Sequence, residues 1–316
     1  MGSVSSPEAK LANLILKRNG LEPGFEIQKF LASQADLRFG KIPDNVDGIS
    51  INLKSKDSKP IVIISTELPP TRRKFTMAHE LGHIFIPWHI GTIFSHTDEN
   101  HDYANRLYHD CEVEANRFAA ELLMPSEWVS DLLSESTPPK VLHTILSVVE
   151  ISPQAAFYKI GSLLPDEYIG VITSLSGLVL NSVSANSRLQ SPEKGEPITK
   201  QAVYKSASSK SHTSHTNNII YWLRYPRAVA PKISDDRSWR EVLSLIFEET
   251  GLEKKLMQNL NGCISCINTN GIAYEDFYNK AHQRIASDSR FHAIYQHAGF
   301  DLFLAKRIGE LVTNRK

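Results

Sequence analysis

Apolar side chains near the start of the chain recur at helical spacing. Leu11, Leu14 and Ile15 share one helix face that Gly20 ends, and Phe30 and Leu31 anchor a second short helix, so residues 7–36 are expected to form two helices. From Asp47 the period becomes two. Ile49, Ile51 and Leu53 alternate with polar residues, residues 54–59 make a polar turn, and the apolar run 61–64 follows, which predicts a β-hairpin. Pro69 and Pro70 end it, and Thr71 is placed to cap a helix over about 72–86, with Phe75, Ala78, Leu81 and Phe85 on its buried side and Pro87 as its stop. A polar loop rich in histidine extends to about residue 104. The next helix, about 105–124, carries a buried stripe of Ala115, Phe118, Ala119 and Leu122, and shorter helices are expected up to Ile160.

The pattern changes after Leu164 and Pro165. Residues 168–180 predict strands turning at Gly177, and 182–214, rich in Ser, Lys and Asn, predicts a long exposed loop. A strand at 219–223, a helix at 239–249, a short strand at 264–267 and helices at 274–286 and 293–312 complete the chain. The expected fold class is α+β: a mainly helical core with a small β-hairpin or sheet, followed by a separate α+β domain. Residues 1–46 are expected to be a helical segment packing on the core, 47–165 the core itself, and 166–316 a C-terminal regulatory or substrate-recognition domain.

Composition narrows the class without choosing a function. The chain is 41% hydrophobic and 22% charged, ordinary for a globular protein, and its formal net charge of zero points neither to nucleic acid nor to an acidic substrate. Charge is uneven locally: acidic side chains dominate 96–150 and basic ones 181–232. No apolar run is long enough for a membrane helix, and the N-terminus lacks the basic-then-apolar order of a secretory signal. Cys111, Cys263 and Cys266 are too few for a disulfide scaffold, which fits a cytoplasmic protein.

The chemistry sits at His79-Glu80-Leu81-Gly82-His83. Histidines at i and i+4 place two imidazoles one helical turn apart on one face, where both reach one tetrahedral zinc. Glu80, beside the first, can accept the proton of a water that the zinc activates for attack on a peptide carbonyl. A third protein ligand is needed, and His89, His96, His101, His109, Glu112 and Glu114 are the candidates. Pro87, and Ile86 where a glycine would be required, argue against His89. On the second helix Glu112 lies roughly 70° from the centre of the buried stripe and Glu114 roughly 100° away on the other side. Glu112 is therefore better placed to face the first helix. Asn116, one turn on, is positioned to hydrogen-bond a ligand. Glu114 is expected to be solvated and paired with Arg117.

The segment 73–83, Arg-Lys-Phe-Thr-Met-Ala-His-Glu-Leu-Gly-His, together with 112–125, Glu-Val-Glu-Ala-Asn-Arg-Phe-Ala-Ala-Glu-Leu-Leu-Met-Pro, resembles the ImmA/IrrE family of metallopeptidases. The resemblance covers about 47–128. It implies a gluzincin-like site with His79, His83 and Glu112 as zinc ligands and Glu80 as general base. It also implies a substrate: a helix-turn-helix transcriptional repressor, cleaved to induce stress, phage or mobile-element genes. Two other functions compete: a non-enzymatic regulator held together by zinc, and a peptidase without a dedicated repressor. Glu80 argues against the first, because a structural zinc needs no base.

Weaker signals have simpler explanations. Cys263 and Cys266 have metal or redox spacing but form one isolated pair, best explained as part of a packed or surface strand. The basic stretch from Arg188 to Lys232, with Tyr204, Tyr221, Trp222 and Tyr225, fits a solvated loop and a half-buried strand better than a nucleic-acid surface. Tyr103, Tyr108 and His109 are candidate oxyanion donors.

Overall fold

The computed structural model describes residues 6–96, 106–184, 189–225, 227–269 and 271–314. The chain divides into two compact units, residues 1–163 and 164–316.

The first unit opens with α1 (Pro7–Asn19), whose N-terminus is capped by Ser6 and whose C-terminus ends on Gly20 at φ +59°, where a side chain would be strained. Ala12, Ile15 and Leu16 are its buried face. After α2 (Ile27–Gln34) comes a strand that the helical pattern hid, β1 (Asp36–Gly40). It runs parallel to β3 (Ile61–Ser65), which pairs antiparallel with β2 (Val46–Leu53). The expected hairpin therefore lies inside a mixed four-stranded sheet of order β1-β3-β2-β4. Its other edge, β4 (Gly91–His96), occupies part of the segment expected to be loop.

Helix α3 (Pro70–Phe85) lies against this sheet and starts on Pro70, not at a cap supplied by Thr71. Proline suits that position because its missing N–H would have no partner there. Pairing of Arg72 with Asp47 (2.6 Å) fastens the start of α3 to β2. At the other end Lys54 donates to the carbonyls of His83 (3.0 Å) and Ile84 (2.5 Å), placing a cation at the negative end of the helix. Burial pulls that lysine down to about 8. Helix α4 (Arg106–Leu123) packs on α3 through Ala115, Phe118, Ala119 and Leu122, all fully buried. Helices α5 (Ser126–Glu135), α6 (Pro138–Val149) and α7 (Pro153–Gly161) complete the unit.

The second unit holds an antiparallel sheet of order β6-β5-β8-β7, formed by β5 (Tyr168–Thr173), β6 (Val179–Ser184), β7 (Ser209–Ser214) and β8 (Ile219–Arg224). Strand β7 and α8 (Ala202–Ser206) lie within the segment expected to be a loop. The helices are α9 (Trp239–Thr250), α10 (Lys254–Ile267), α11 (Tyr274–Ser287), α12 (His292–Tyr295) and α13 (Phe300–Thr313). The strand expected at 264–267 is the last turn of α10. Leu260, Ile264 and Ile267 recur at helical spacing and bury together, and this periodicity overrides the short apolar run around the cysteines. Trp222 and Tyr225 are buried, so neither offers a face for base stacking. No described helix is long and apolar enough to cross a membrane.

One buried ion pair ties the first unit together. Glu121 accepts from Lys159 (2.6 Å), the Ser126 hydroxyl (2.7 Å) and backbone N–H (2.9 Å), and Asn13 (2.9 Å). Burial works to raise this carboxyl, but Lys159 and Ser126 hold it below its ordinary value. The pair's contribution is therefore full above the unfolded carboxyl value near 4.5 and is lost as pH falls through the lower folded value. Lys159→Ala is expected to cost about 3 kcal/mol at neutral pH, because the carboxylate stays buried without its cation. Urea unfolding of the full chain at pH 7 and pH 3 checks this, and the variant's deficit should shrink at the lower pH.

Candidate metal centre

Three side chains meet where α3 and α4 cross. The Nε2 atoms of His79 and His83 lie 3.0 Å apart, and Glu112 presents Oε2 3.4 Å from His79 and Oε1 3.2 Å from His83. All three residues are buried. A tetrahedral zinc with bonds of about 2.0–2.1 Å keeps neighbouring ligand atoms about 3.3 Å apart, so this triangle has the size such an ion needs. Glu112 Oε1 is buried and receives no hydrogen bond, although His83 is near. A buried carboxylate that sets one oxygen against each of two ring nitrogens, one of those oxygens without a hydrogen bond, is the kind of donor set a metal ion takes. His79, His83 and Glu112 are the one group of this kind among the described residues, and they could hold a metal ion.

The approach of the helices makes the triangle possible. A methyl group on Gly82 would stand 3.1 Å from Ala115 Cα, so the backbones approach more closely than a side chain at this position would readily allow. Behind the first histidine, Asn116 Oδ1 lies 2.9 Å from His79 Nδ1, where the helical phase predicts it. An amide oxygen there accepts a hydrogen bond from Nδ1–H, so the neutral ring keeps Nε2 bare toward Glu112.

Charge within the cluster is strongly coupled. Burial opposes ionisation of Glu112, but His79 and His83 more than offset it and pull the carboxyl down to about 2. Burial drives His83 down to about 3, whereas at His79 the Glu112 and Glu80 carboxylates outweigh burial and raise it.

Glu80 is fully buried and sits in a cradle made by the sheet. Its Oε2 accepts from Ser50 (2.5 Å) on β2 and its Oε1 from Ser95 (2.6 Å) on β4. Gly48, paired with Ser95 across the two strands, completes the cradle: a methyl group there would overlap Glu80 Oε1. Burial raises the Glu80 carboxyl, against the pull of His79 and the two serines. Neither serine stood out in the sequence. Ser50 occupies a polar position of an alternating strand, which ordinarily faces water, and Ser95 lies in the segment expected to be loop.

Other candidates fall outside the triangle. His89 is buried behind His83, and His109 is exposed on the first turn of α4. Tyr108 Oη accepts the Phe94 N–H (3.0 Å) and is tied to β4. The His96 side chain, His101 and Tyr103 lie outside the described residues. The expected pairing of Glu114 with Arg117 is not formed. Glu114 bonds His89 and Trp88, while Arg117 reaches Glu8 at 3.7 Å. The turn at Pro87 swings His89 back over α4, a return that helical phase alone does not show. In the second unit Cys263 and Cys266 are free thiols, and His297 pairs with Glu249 at 2.8 Å.

Residues 37–160 match the IrrE N-terminal-like domain. Over this segment the N-terminal unit is similar to the ImmA/IrrE metallopeptidase family. Its relatives include the radiation response metalloprotease IrrE of Deinococcus deserti, 29% identical over 118 residues, which are 37% of this chain and 41% of that protein. The radiation response metalloprotease IrrE of Deinococcus radiodurans is 28% identical over 107 residues, 33% of this chain and 32% of that protein. The similarity thus spans less than half the length of these curated relatives. A Mycobacterium tuberculosis transcriptional regulator of solved structure overlaps 68% of this chain and 74% of its own, at 13% identity and a TM-score of 0.43, too low to bear on function.

Ser50→Ala is expected to lower unfolding free energy by about 1–3 kcal/mol, because it strips a donor from a buried carboxylate. Gly48→Ala should cost more, since the added methyl must also displace Glu80. Chemical denaturation of the full-length variants measures both.

Proposed function

We propose that this protein is a zinc-dependent endopeptidase whose N-terminal unit cleaves a helix-turn-helix transcriptional repressor. The convergence of His79, His83 and Glu112 on one triangle of zinc-ligand size carries this reading. Glu80, buried next to His79, supports hydrolysis over a purely structural ion, and the family similarity supports a peptidase. The names of the IrrE relatives support action in a stress response. The repressor is the resemblance's contribution, and the chain would act on it in the cytoplasm.

His79 and His83 would hold the ion through Nε2 and Glu112 through its carboxylate. When bound, zinc supplies Lewis-acid activation of water and polarisation of the scissile carbonyl. Glu80 is the base that takes the attacking water's proton on its carboxylate and returns it to the leaving amine. Its raised proton affinity suits that task, since a base works best when its value approaches the working pH. The Ser50 and Ser95 hydroxyls orient the carboxylate, and Asn116 orients His79.

The test is co-incubation of the zinc-loaded chain with candidate helix-turn-helix repressors from the same organism, followed by gel electrophoresis and mass spectrometry of the products. A discrete cut is expected. Glu80→Gln should retain one zinc per chain and lose activity by about 10²–10⁴-fold. Near-native turnover by that variant would remove Glu80 from the mechanism, and zinc retention by Glu112→Ala at native affinity would remove Glu112 from the site. An intact repressor beside an active general peptidase would remove the repressor.

Zinc binding should also report the proton inventory of the site. Metal competes with protons for its ligands. Glu112 at about 2 and His83 at about 3 hold none near neutrality, leaving His79, raised above its ordinary 6.5, as the group that binds one. Affinity should be flat at alkaline pH and fall about tenfold per pH unit once below the His79 value. Competition with a chelator across pH 5–9 measures that slope, and a two-proton slope would contradict the assignment.

A further inference from the structure

The polar residues behind His83 form a chain that leads away from the metal centre. His83 Nδ1 lies 2.8 Å from His89 Nδ1, and His89 Nε2 lies 3.0 Å from Glu114 Oε2. The same oxygen accepts the Trp88 indole N–H at 2.6 Å. His83 and His89 are fully buried, and the Glu114 side chain is 23% exposed. This cluster accounts for a histidine and a carboxylate that the proposed reaction leaves without a role.

Proton counting along the chain has one solution for neutral imidazoles. A carboxylate only accepts, so His89 must carry its proton on Nε2. Its Nδ1 is then bare and can only accept, which makes His83 Nδ1 the donor. His83 in turn is left with a bare Nε2, on the side facing His79 and Glu112. The opposite tautomer of His83 would aim an N–H into the centre and leave the 2.8 Å contact with His89 without a proton. The favoured one sets the bare Nε2 atoms of His83 and His79, 3.0 Å apart, where the ion would sit.

We propose that His89 and Glu114 are positioning residues, forming a relay of hydrogen bonds that locks His83 in the tautomer able to bind metal. Trp88 fixes the carboxylate that anchors the relay. The arrangement extends the familiar carboxylate–histidine–metal pattern by one imidazole, and outer partners of this kind typically contribute 10–100-fold in metal affinity. This inference rests on the zinc-site reading above. It also reverses the expectation that Glu114 is a dispensable surface residue.

The experiment measures zinc affinity of the full chain at pH 7.5 by competition with a chromogenic chelator. Wild type is compared with Glu114→Ala, Glu114→Gln, His89→Ala, the double variant His89→Ala/Glu114→Ala and, as a control on the site itself, Glu112→Ala. Glu114→Ala and His89→Ala are each expected to weaken zinc by about 10–100-fold. Glu114→Gln should recover most of the loss, because its amide oxygen still accepts from His89. The double variant should bind no more weakly than His89→Ala alone, since Glu114 acts through His89; a general structural role would give additive losses instead. Thermal unfolding of the metal-free proteins identifies any variant that fails to fold. If His89→Ala does not fold, the contrast between Glu114→Ala and Glu114→Gln decides. Native affinity in Glu114→Ala, or equal losses in Glu114→Ala and Glu114→Gln, overturns the relay. Native affinity in Glu112→Ala overturns the underlying zinc site instead, so the two failures are distinct.

Discussion

The centre of the N-terminal unit depends on how closely α3 and α4 approach each other. At Gly82 and Ala115 the two backbones are separated by less than an ordinary side chain would allow. That approach carries Glu112 across the seam to both histidines, and the carboxylate's reach is short. A wider seam would leave two imidazoles on one helix and an acid on another, with no common point between them. The fully buried alanines and phenylalanine of α4 hold the helices at this distance through packing that excludes water, so the cluster is buried as a consequence of the same contact.

Burial sets the electrostatics in turn. A carboxylate and two imidazoles in low dielectric interact strongly, and their proton affinities diverge: Glu112 and His83 fall while His79 rises. Glu80, only one residue from His79, is driven the other way because its desolvation outweighs the pull of His79 and of the two serines. Two carboxylates in one small site thus acquire different tendencies, Glu112 shifted toward the anion and Glu80 toward its protonated form. The separation arises from placement: Glu112 faces the imidazoles and Glu80 faces the serines of the sheet.

The sheet and the turn after α3 act as supports for this pair of helices. Strands β2 and β4 put Gly48, Ser50 and Ser95 under Glu80, and the side-chain alternation of β2 turns its small polar face toward the helix. Pro87 ends α3, and the chain then folds His89 behind His83. Each group in the triangle therefore has a partner on its far side. Asn116 stands behind His79, and His89 with Glu114 behind His83.

Helical spacing alone pointed to the candidate chemistry. Imidazoles four residues apart on a helix must share a face, the adjacent Glu80 must lie beside them, and the buried stripe of the second helix places Glu112 nearer the seam than Glu114. These are local consequences of helical geometry, which is why the candidate ligand set and the helices were legible. What surrounds that set depends on long-range packing. Strand β1 gains its identity from pairing with β3, because the alternation of Leu37 and Phe39 with polar neighbours is too short a run to stand apart from the helix before it. Strand β4 is defined by β2 in the same way. The burial of Ser50 and Ser95 depends on Glu80, and the partners of Glu114 depend on a turn at Pro87 that no periodicity describes. Around the cysteines of α10, a short apolar run was compatible with either strand or helix until packing of Leu260, Ile264 and Ile267 selected the helix. Local periodicity specifies which face a residue takes, whereas long-range pairing specifies what that face meets, and a polar residue can become buried only through the second.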